Sequence, residues 1–166
     1  MFIAAVICIS SCKNKPQKST ENKPDDPEKL MEINKAFVNE EQENISDYIK
    51  RYNYAMEETK TGLHLLHITI GKGRKPAKNS DVTVSYKINL LDGTYCYSSD
   101  SSGVLTFRLG ESTEPGGLQE GILLMNEGGS SLMIIPSYLA YGLTGDGDKI
   151  GSNQSLVYKV ELLKVK

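Results

Sequence analysis

A short apolar helix, followed at once by a strand without polar positions, constrains the fold of this chain most. Leu118, Ile122 and Met125 recur at i, i+4 and i+7, which is the spacing of one helix face. A helix this short is marginal in water on its own, because few hydrogen bonds repay the cost of nucleating it. The rest of the chain must therefore bury this helix, and Gly117 and Gly121 leave room on it for close backbone approach.

The segment from 132 to 135 is apolar at every position, which predicts a strand buried on both faces of a sheet. Pro136 ends this strand, because proline has no N–H to donate to a neighbouring strand. An aromatic loop closed by glycine follows at 138–142. Residues 117–142 therefore predict a helix, a glycine turn, a buried strand and a long loop.

Residues 81–90 alternate strictly between apolar and polar side chains, which predicts a strand with one buried face. Its inward residues would be Val82, Val84, Tyr86, Ile88 and Leu90. Asp92 and Gly93 then predict a hairpin turn before a returning strand at 94–98. Further strands are predicted at 61–70, 104–109 and 156–165. Several short antiparallel strands around one short helix indicate an α+β domain, which we expect to span 61–166.

A helical extension is predicted before the sheet, at residues 28–60. Pro27 followed by acidic Glu28 is typical of a helix start. Two sets of apolar residues recur at helical spacing, namely Leu30, Ile33 and Phe37, and then Ile45, Tyr48, Ile49 and Tyr52. The segment between the sets, at Asn39 and Glu40, is a candidate division into two helices. The apolar stripe either docks on the domain or pairs with a second copy of the chain, and the sequence favours neither.

Residues 1–12 have the pattern of a targeting segment and are expected to lie outside the fold. Their apolar run, 2–9, is too short to span a bilayer as a helix. Residues 9–12, Ile-Ser-Ser-Cys, resemble a bacterial lipobox, which implies acylation of Cys12 and attachment to a membrane. An ordinary secretory signal or a buried strand is the alternative. Residues 13–27 are polar, rich in lysine and interrupted by proline, as in a flexible linker.

Charge and residue spacing argue against several functions. The formal net charge is −2 and no basic patch is interleaved with aromatics, so nothing indicates nucleic-acid binding. His64 and His67 are three apart on a predicted strand, so they point to opposite faces and cannot chelate one ion together. Asp146 and Asp148 imitate the start of a calcium loop, but Ile150 occupies a position that needs an oxygen ligand. We therefore expect no metal or cofactor.

Three segments together resemble the FKBP family of peptidyl-prolyl cis/trans isomerases. The first is G-L-x-E-G-I-x-x-M-x-x-G at 117–128, the second is I-P-x-x-L-A-Y-G at 135–142, and the third is the last strand with V-E-L-L-K. The resemblance covers about the last two-thirds of the chain. The lipobox-like start and the loop GDGDKIGSN resemble the FKBP-type gliding-motility lipoproteins of Bacteroidetes.

The reaction that this resemblance implies needs no nucleophile, acid, base or metal. Rotation about an X–Pro bond is opposed by a barrier of about 18–20 kcal/mol, because resonance keeps the amide planar and polar. The twisted transition state is less polar than the planar ground state. An apolar cup that excludes water therefore favours the twisted form, with a few hydrogen bonds to hold the flanking carbonyls.

The resemblance also implies a pocket built from several elements. Carried over position by position, its residues are Tyr86 and Phe107 on strands, Leu118 on the helix, Tyr141 and Ile150 on the long loop, and Tyr158 on the last strand. In the family the tyrosine of A-Y-G, here Tyr141, hydrogen-bonds a ligand carbonyl. Plain core packing is the alternative for each of these residues. It is favoured most for Phe107 and Tyr158, and least for Tyr141.

Several positions depart from the family pattern. Cys96 and Tyr97 stand where the family commonly has Phe-Asp, so the aspartate of the pocket rim is missing and Tyr97 takes its place in the predicted site. Leu105 replaces an aromatic side chain. Pro115 stands where an isoleucine N–H holds a ligand carbonyl; because proline has no N–H, that contact is lost or comes from Gly116.

The leading hypothesis is a peptidyl-prolyl isomerase that is lipid-anchored in the cell envelope of a Gram-negative bacterium and faces the periplasm. Its clients would be proline-containing exported or gliding-motility proteins. One alternative is a catalytically weak FKBP-fold module that binds an envelope partner. Another is a chaperone that forms a homodimer through the N-terminal helix and binds clients on that helix.

Overall fold

An antiparallel sheet of seven strands forms the centre of the computed structural model, which describes residues 27–166. The strands are β1 (Glu57–Glu58), β2 (His64–Thr69), β3 (Asp81–Leu90), β4 (Tyr95–Ser98), β5 (Leu105–Arg108), β6 (Ser130–Ile135) and β7 (Leu156–Val165). The helices are α1 (Pro27–Tyr52), the single turn α2 (Ser99–Ser102) and α3 (Gly116–Leu123), and a 3-10 turn spans Ser137–Leu139. The strands are ordered β1-β2-β6-β7-β3-β4, with β5 paired to β3. This is the α+β architecture that the sequence predicts.

Helix α3 packs against β6 through two of its glycines, Gly117 and Gly121. Leu118 and Ile122 are fully buried in the main core. A methyl group at Gly117 would lie 2.5 Å from Cγ2 of Ile135, closer than packed atoms approach. The expected close approach is therefore confirmed, and it places the amino end of α3 beside the end of β6.

Strand β6 is buried on both faces, as predicted. Met133 and Ile135 belong to the main core together with α3. The alternate residues Leu132 and Ile134 contact a second cluster that includes Ile45 of α1. Since successive side chains of a strand point to opposite faces, α3 covers one face of the sheet and α1 covers the other.

The predicted alternation of β3 and its hairpin to β4 are also confirmed. Val82, Val84 and Ile88 are buried, whereas Lys87 is exposed. At the turn, the Thr94 N–H donates to Oδ1 of Asp92 at 2.8 Å. The single turn α2, which follows β4, has no counterpart in the predictions.

Helix α1 differs from the prediction in two ways. It is continuous from Pro27 to Tyr52, so the division at Asn39 and Glu40 is wrong. An exposed asparagine lowers helix propensity by well under 1 kcal/mol, which is too little to break a helix that is anchored by packing. The helix also ends at Tyr52 rather than near residue 60. Asn53 adopts a left-handed conformation with φ of 52°, after which residues 57–58 pair with β2.

The second half of α1 docks on the domain, while much of its first half is exposed. Ile45 is 0% exposed. The carboxylate of Glu41 accepts hydrogen bonds from the Ser137 N–H at 2.6 Å and from the hydroxyl groups of Ser137 and Ser155. Phe37, by contrast, is 53% exposed. Docking on the domain is thus confirmed for the second half of α1. Pairing with a second copy of the chain stays a prediction for the first half.

The targeting segment 1–12, its Cys12 and nearly all of the linker 13–27 lie outside the described residues. Within residues 27–166, no helix is both long and apolar enough to cross a bilayer. The proposed division between linker, extension and domain stays a prediction.

Candidate active site

A cleft of about 200 Å³ opens between strands β3, β4, β5 and β7 and the loops that precede α3 and follow the 3-10 turn. It is lined by Tyr86, Ile88, Tyr97, Leu105, Glu114, Tyr141, Asp146 and Tyr158. Four of these, the tyrosines, are residues that the family resemblance assigns to the site. The other four are two aliphatic side chains and two carboxylates.

Strand register brings three of the lining side chains into one row. Ile88 of β3 lies directly opposite Tyr158 of β7 and also opposite Tyr97 of β4. Residues that are directly opposite on neighbouring strands point to the same face of a sheet. Tyr86, two residues before Ile88, shares that face, and so the alternation of β3 positions this wall of the cleft.

The hydroxyl groups of Tyr141 and Tyr158 interact at the bottom of the cleft. Burial raises the pKa of Tyr158 well above its ordinary value, and its hydrogen bond to Tyr141 raises it further. Burial also raises the pKa of Tyr141, but the same hydrogen bond opposes this rise. Donating a hydrogen bond raises a phenol pKa and accepting one lowers it. Both phenols therefore keep their protons at neutral pH, and the Tyr141 hydroxyl lies in the lining of the cleft.

Tyr97 ties β4 to the loop at 143–151. Its Oη donates to Oδ2 of Asp146 at 2.5 Å and lies 3.2 Å from Oδ2 of Asp148. The hydrogen bond to Asp146 is the main cause that raises the pKa of Tyr97 far above its ordinary value. Partial burial would raise the pKa of Asp146, but the hydrogen bonds from Tyr97 and from backbone N–H groups outweigh it, and this pKa lies below its ordinary value. Asp146 is thus an ionised acceptor at the rim.

Lys149 lies beside this contact without entering the cleft. Its Nζ donates to the carbonyl of Cys96 at 2.9 Å and sits 4.9 Å from the centroid of the Tyr97 ring. The charge of Lys149 is therefore held against a backbone carbonyl and an aromatic face.

Glu114 and Pro115 form the other rim, at the start of α3. Glu114 is half-buried, and this burial raises the pKa of its carboxyl group. Gln119 fixes the loop by donating its Nε2 hydrogen to the Glu114 carbonyl at 2.8 Å. Pro115 precedes the helix, and the N–H of Gly116 has no acceptor among residues 27–166. Gly116 therefore offers the first unpaired backbone donor at this rim.

Three predicted site residues do not line the cleft. Leu118 and Ile150 are almost completely buried in the main core, and Phe107 packs against that core from β5. Four lining residues are absent from the predicted site, namely Ile88, Leu105, Glu114 and Asp146. The inward alternation of β3 could have indicated Ile88, but no local pattern shows where the two loops carrying the carboxylates fold.

A larger groove of about 800 Å³ lies between α1 and the loops of the domain. Its wall includes Phe37, Tyr48 and Leu143, and most of its other lining side chains are polar. None of the predicted site residues lines it. The smaller cleft, which is lined by four tyrosines, matches the chemistry of amide rotation better.

The FKBP-type peptidyl-prolyl cis-trans isomerase family model matches residues 72–163. A relative from Neisseria meningitidis, named "Probable FKBP-type peptidyl-prolyl cis-trans isomerase FkpA", is 39% identical over 141 residues, which cover 82% of this chain and 51% of the relative. The "Outer membrane protein MIP" of Legionella longbeachae is 36% identical over 107 residues, which cover 64% of this chain and 45% of the relative. The crystal structure of FkpA from Escherichia coli matches with a TM-score of 0.69 and 32% identity, over 82% of this chain and 64% of that one. The chain spans about half the length of the curated relatives it matches.

Proposed function

This chain belongs to the family of FKBP-type peptidyl-prolyl cis-trans isomerases, and from this premise we propose that it catalyses rotation about X–Pro bonds in the cleft around Tyr141. The observation that carries the proposal is the pair of tyrosine hydroxyls. Tyr141 and Tyr158 line the cleft together, and burial raises the pKa values of both phenols, so the Tyr141 hydroxyl is protonated and available as a donor. A substrate carbonyl is the acceptor that this hydroxyl would bind.

Catalysis would come from the environment of the twisting amide. The aromatic and aliphatic walls replace water around the proline ring and favour the less polar transition state over the planar ground state. Tyr141 would hold a carbonyl next to the rotating bond, and the Gly116 N–H is the second donor within the same rim. A thousandfold gain in rate requires about 4 kcal/mol of preference for the twisted form.

Refolding of a protein limited by one X–Pro bond tests this proposal. We expect the purified chain to accelerate the slow phase, and Tyr141→Phe to lower kcat/KM about tenfold, as loss of one hydrogen bond worth ~1.4 kcal/mol would do. Tyr138→Phe is the matched control, because its hydroxyl donates to the Thr61 carbonyl and does not line the cleft. A folded chain that gives no acceleration would rule the isomerase proposal out.

The second candidate is a catalytically weak module that binds a proline-containing partner. Pro115 favours it, because the backbone donor that the family uses at this position is absent. Binding of a prolyl peptide without acceleration of its isomerisation would support this candidate against the first.

We further propose that the chain is a lipoprotein of the cell envelope, anchored through acylated Cys12 and facing the periplasm of a Gram-negative bacterium. The lipobox-like residues 9–12 and the outer-membrane name of one relative support this. Its clients would be proline-containing exported proteins, and the resemblance of its start and its 145–153 loop to gliding-motility lipoproteins suggests clients in that machinery. Cys12→Ser should release the protein from membranes; a variant that remains membrane-bound would contradict the anchor.

The exposed half of α1 supports a third proposal, a homodimer formed through this helix. Its exposed apolar side chains are Leu30, Met31, Ile33, Phe37 and Val38. Sedimentation should show a dimer that Phe37→Glu converts to a monomer. If the protein is instead monomeric and Phe37→Glu weakens suppression of client aggregation, the helix is a client-binding surface.

A further inference from the structure

We infer that the cleft selects prolyl segments that carry a lysine or arginine beside the proline, and that Glu114 is the side chain that determines this specificity. The inference rests on the proposed isomerase function, since it assigns the substrate class of that same cleft. Amide rotation itself requires no charged side chain, so the charge of the lining residues is a separate property of the cleft.

The cleft contains two carboxylates and no cationic side chain. Glu114 and Asp146 line it on opposite rims, and the remaining lining residues are tyrosines, isoleucine and leucine. The two carboxylates differ in how they are satisfied. Asp146 accepts hydrogen bonds from Tyr97 and from the N–H groups of Asp148 and Ile150. The carboxylate of Glu114 accepts none and makes no ion pair within residues 27–166.

The nearby cations are already engaged elsewhere. Lys149 donates to the carbonyl of Cys96 and lies over the rings of Tyr95 and Tyr97. Arg108, on the strand that carries Leu105, makes two hydrogen bonds with Asp81 and points its charge away from the lining set. The charge of Glu114 is therefore not neutralised by the protein.

A half-buried carboxylate without a protein partner is less well hydrated than a fully exposed one, because burial removes part of its water. Gln119 fixes the backbone that carries Glu114 through hydrogen bonds to the Glu114 and Ser112 carbonyls, which keeps the position of this residue at the cleft constant. A cation delivered by the substrate would supply the missing partner. A glutamate at the same substrate position would instead add a like charge.

The walls of the cleft suit a lysine or arginine side chain as well. Leu105 offers an apolar surface to the aliphatic stem, as long cationic side chains prefer. The faces of Tyr86 and Tyr141 attract a cation that passes over them. One bound lysine or arginine would therefore meet an apolar surface for its stem, aromatic rings along its path and a carboxylate at its charged end.

Isomerisation of a matched peptide series tests the inference. The peptides carry lysine, norleucine or glutamate immediately before the proline in one set, and immediately after it in another; norleucine keeps the length of lysine without its charge. In at least one set we expect kcat/KM to be about fivefold higher for lysine than for norleucine, equivalent to ~1 kcal/mol for a partly exposed ion pair, and lower again for glutamate. The lysine preference should shrink in 0.5 M salt, where exposed charges are screened within about 4–5 Å.

Glu114→Gln should abolish the preference for lysine, so that this variant turns over the lysine and norleucine peptides with equal kcat/KM. Glu161→Gln is the control, because Glu161 is exposed on β7 outside the cleft and its replacement removes the same formal charge. The preference should survive in this control.

The outcomes separate this inference from the function it rests on. A folded protein that turns over all peptides with equal efficiency, or whose lysine preference persists in Glu114→Gln, overturns the inference and leaves the isomerase proposal standing. A folded protein that turns over none of them overturns the isomerase proposal, and the inference with it.

Discussion

Replacing Tyr97 with phenylalanine removes the one hydroxyl that ties β4 to the 143–151 loop at the mouth of the cleft. The hydroxyl donates to Asp146 at 2.5 Å and accepts from the Lys149 N–H at 3.3 Å. A hydrogen bond to a charged group contributes about 1.5–3 kcal/mol when buried, and the partial exposure of both side chains places this one at the lower end. We therefore expect Tyr97→Phe to lower the free energy of unfolding by about 1–2 kcal/mol.

The pH dependence of this loss follows from the two pKa values. The pKa of Asp146 lies below its ordinary value, so its stabilisation is present above that ordinary value and is lost as the pH falls through the folded-state pKa. The pKa of Tyr97 lies above its ordinary value, so its stabilisation is present below that value and is lost as the pH rises through the folded-state pKa. The difference between parent and variant should be largest between about pH 5 and 9 and shrink outside this window.

Urea denaturation across this pH range measures the difference, and hydrogen exchange at 143–151 shows whether the loop opens. Tyr95→Phe is the matched control on the same strand, because its hydroxyl lies 3.3 Å from two serine hydroxyls and contacts no carboxylate. We expect this variant to lose clearly less stability than Tyr97→Phe. Equal effects of the two variants, or a Tyr97→Phe loss that does not change with pH, would refute the reasoning.

Two further predictions concern the surfaces that hold the helices on the sheet. Ile45→Ala should lower the free energy of unfolding by about 2–4 kcal/mol in urea denaturation, because the side chain is completely buried between α1 and β6. Phe37→Ala, at an exposed position of the same helix, should lower it by less than about 1 kcal/mol in the monomer. Similar losses in the two variants would mean that α1 is not docked. Gly121→Ala should cost about 1–3 kcal/mol, because the added methyl group overlaps the sulfur of Met133, and a neutral result would show that α3 lies farther from the sheet.

Sequence periodicity anticipates the parts of this fold in which the pattern reports burial directly. The strict alternation at 81–90 identifies both the bounds of β3 and its inward face. The uninterrupted apolar run at 132–135 identifies a strand covered on both sides, although periodicity alone could not say that α1 supplies the second cover. The end of α1 was missed because residues 57 and 58 are glutamates, which suit a helix locally but pair with β2 in the fold.

The candidate site was predictable where it lies on regular strands and unpredictable where it depends on loops. Tyr86 and Tyr158 occupy inward strand positions, and the family motif places Tyr141 directly after the 3-10 turn. The contact between Tyr97 and Asp146 joins residues 49 apart in sequence, and neither residue belongs to a pattern that encodes their meeting. Glu114 likewise lies in an irregular loop whose position depends on the hydrogen bonds of Gln119.

The central claim, that this cleft catalyses X–Pro rotation, is tested most directly by NMR exchange spectroscopy on an X–Pro peptide at equilibrium. A catalyst accelerates the cis-to-trans and trans-to-cis steps by the same factor and leaves the populations of the free peptide unchanged. The account predicts such acceleration at substoichiometric protein, reduced about tenfold in Tyr141→Phe. Peptide that binds a folded protein without faster exchange, or acceleration that is unchanged in Tyr141→Phe, would contradict it.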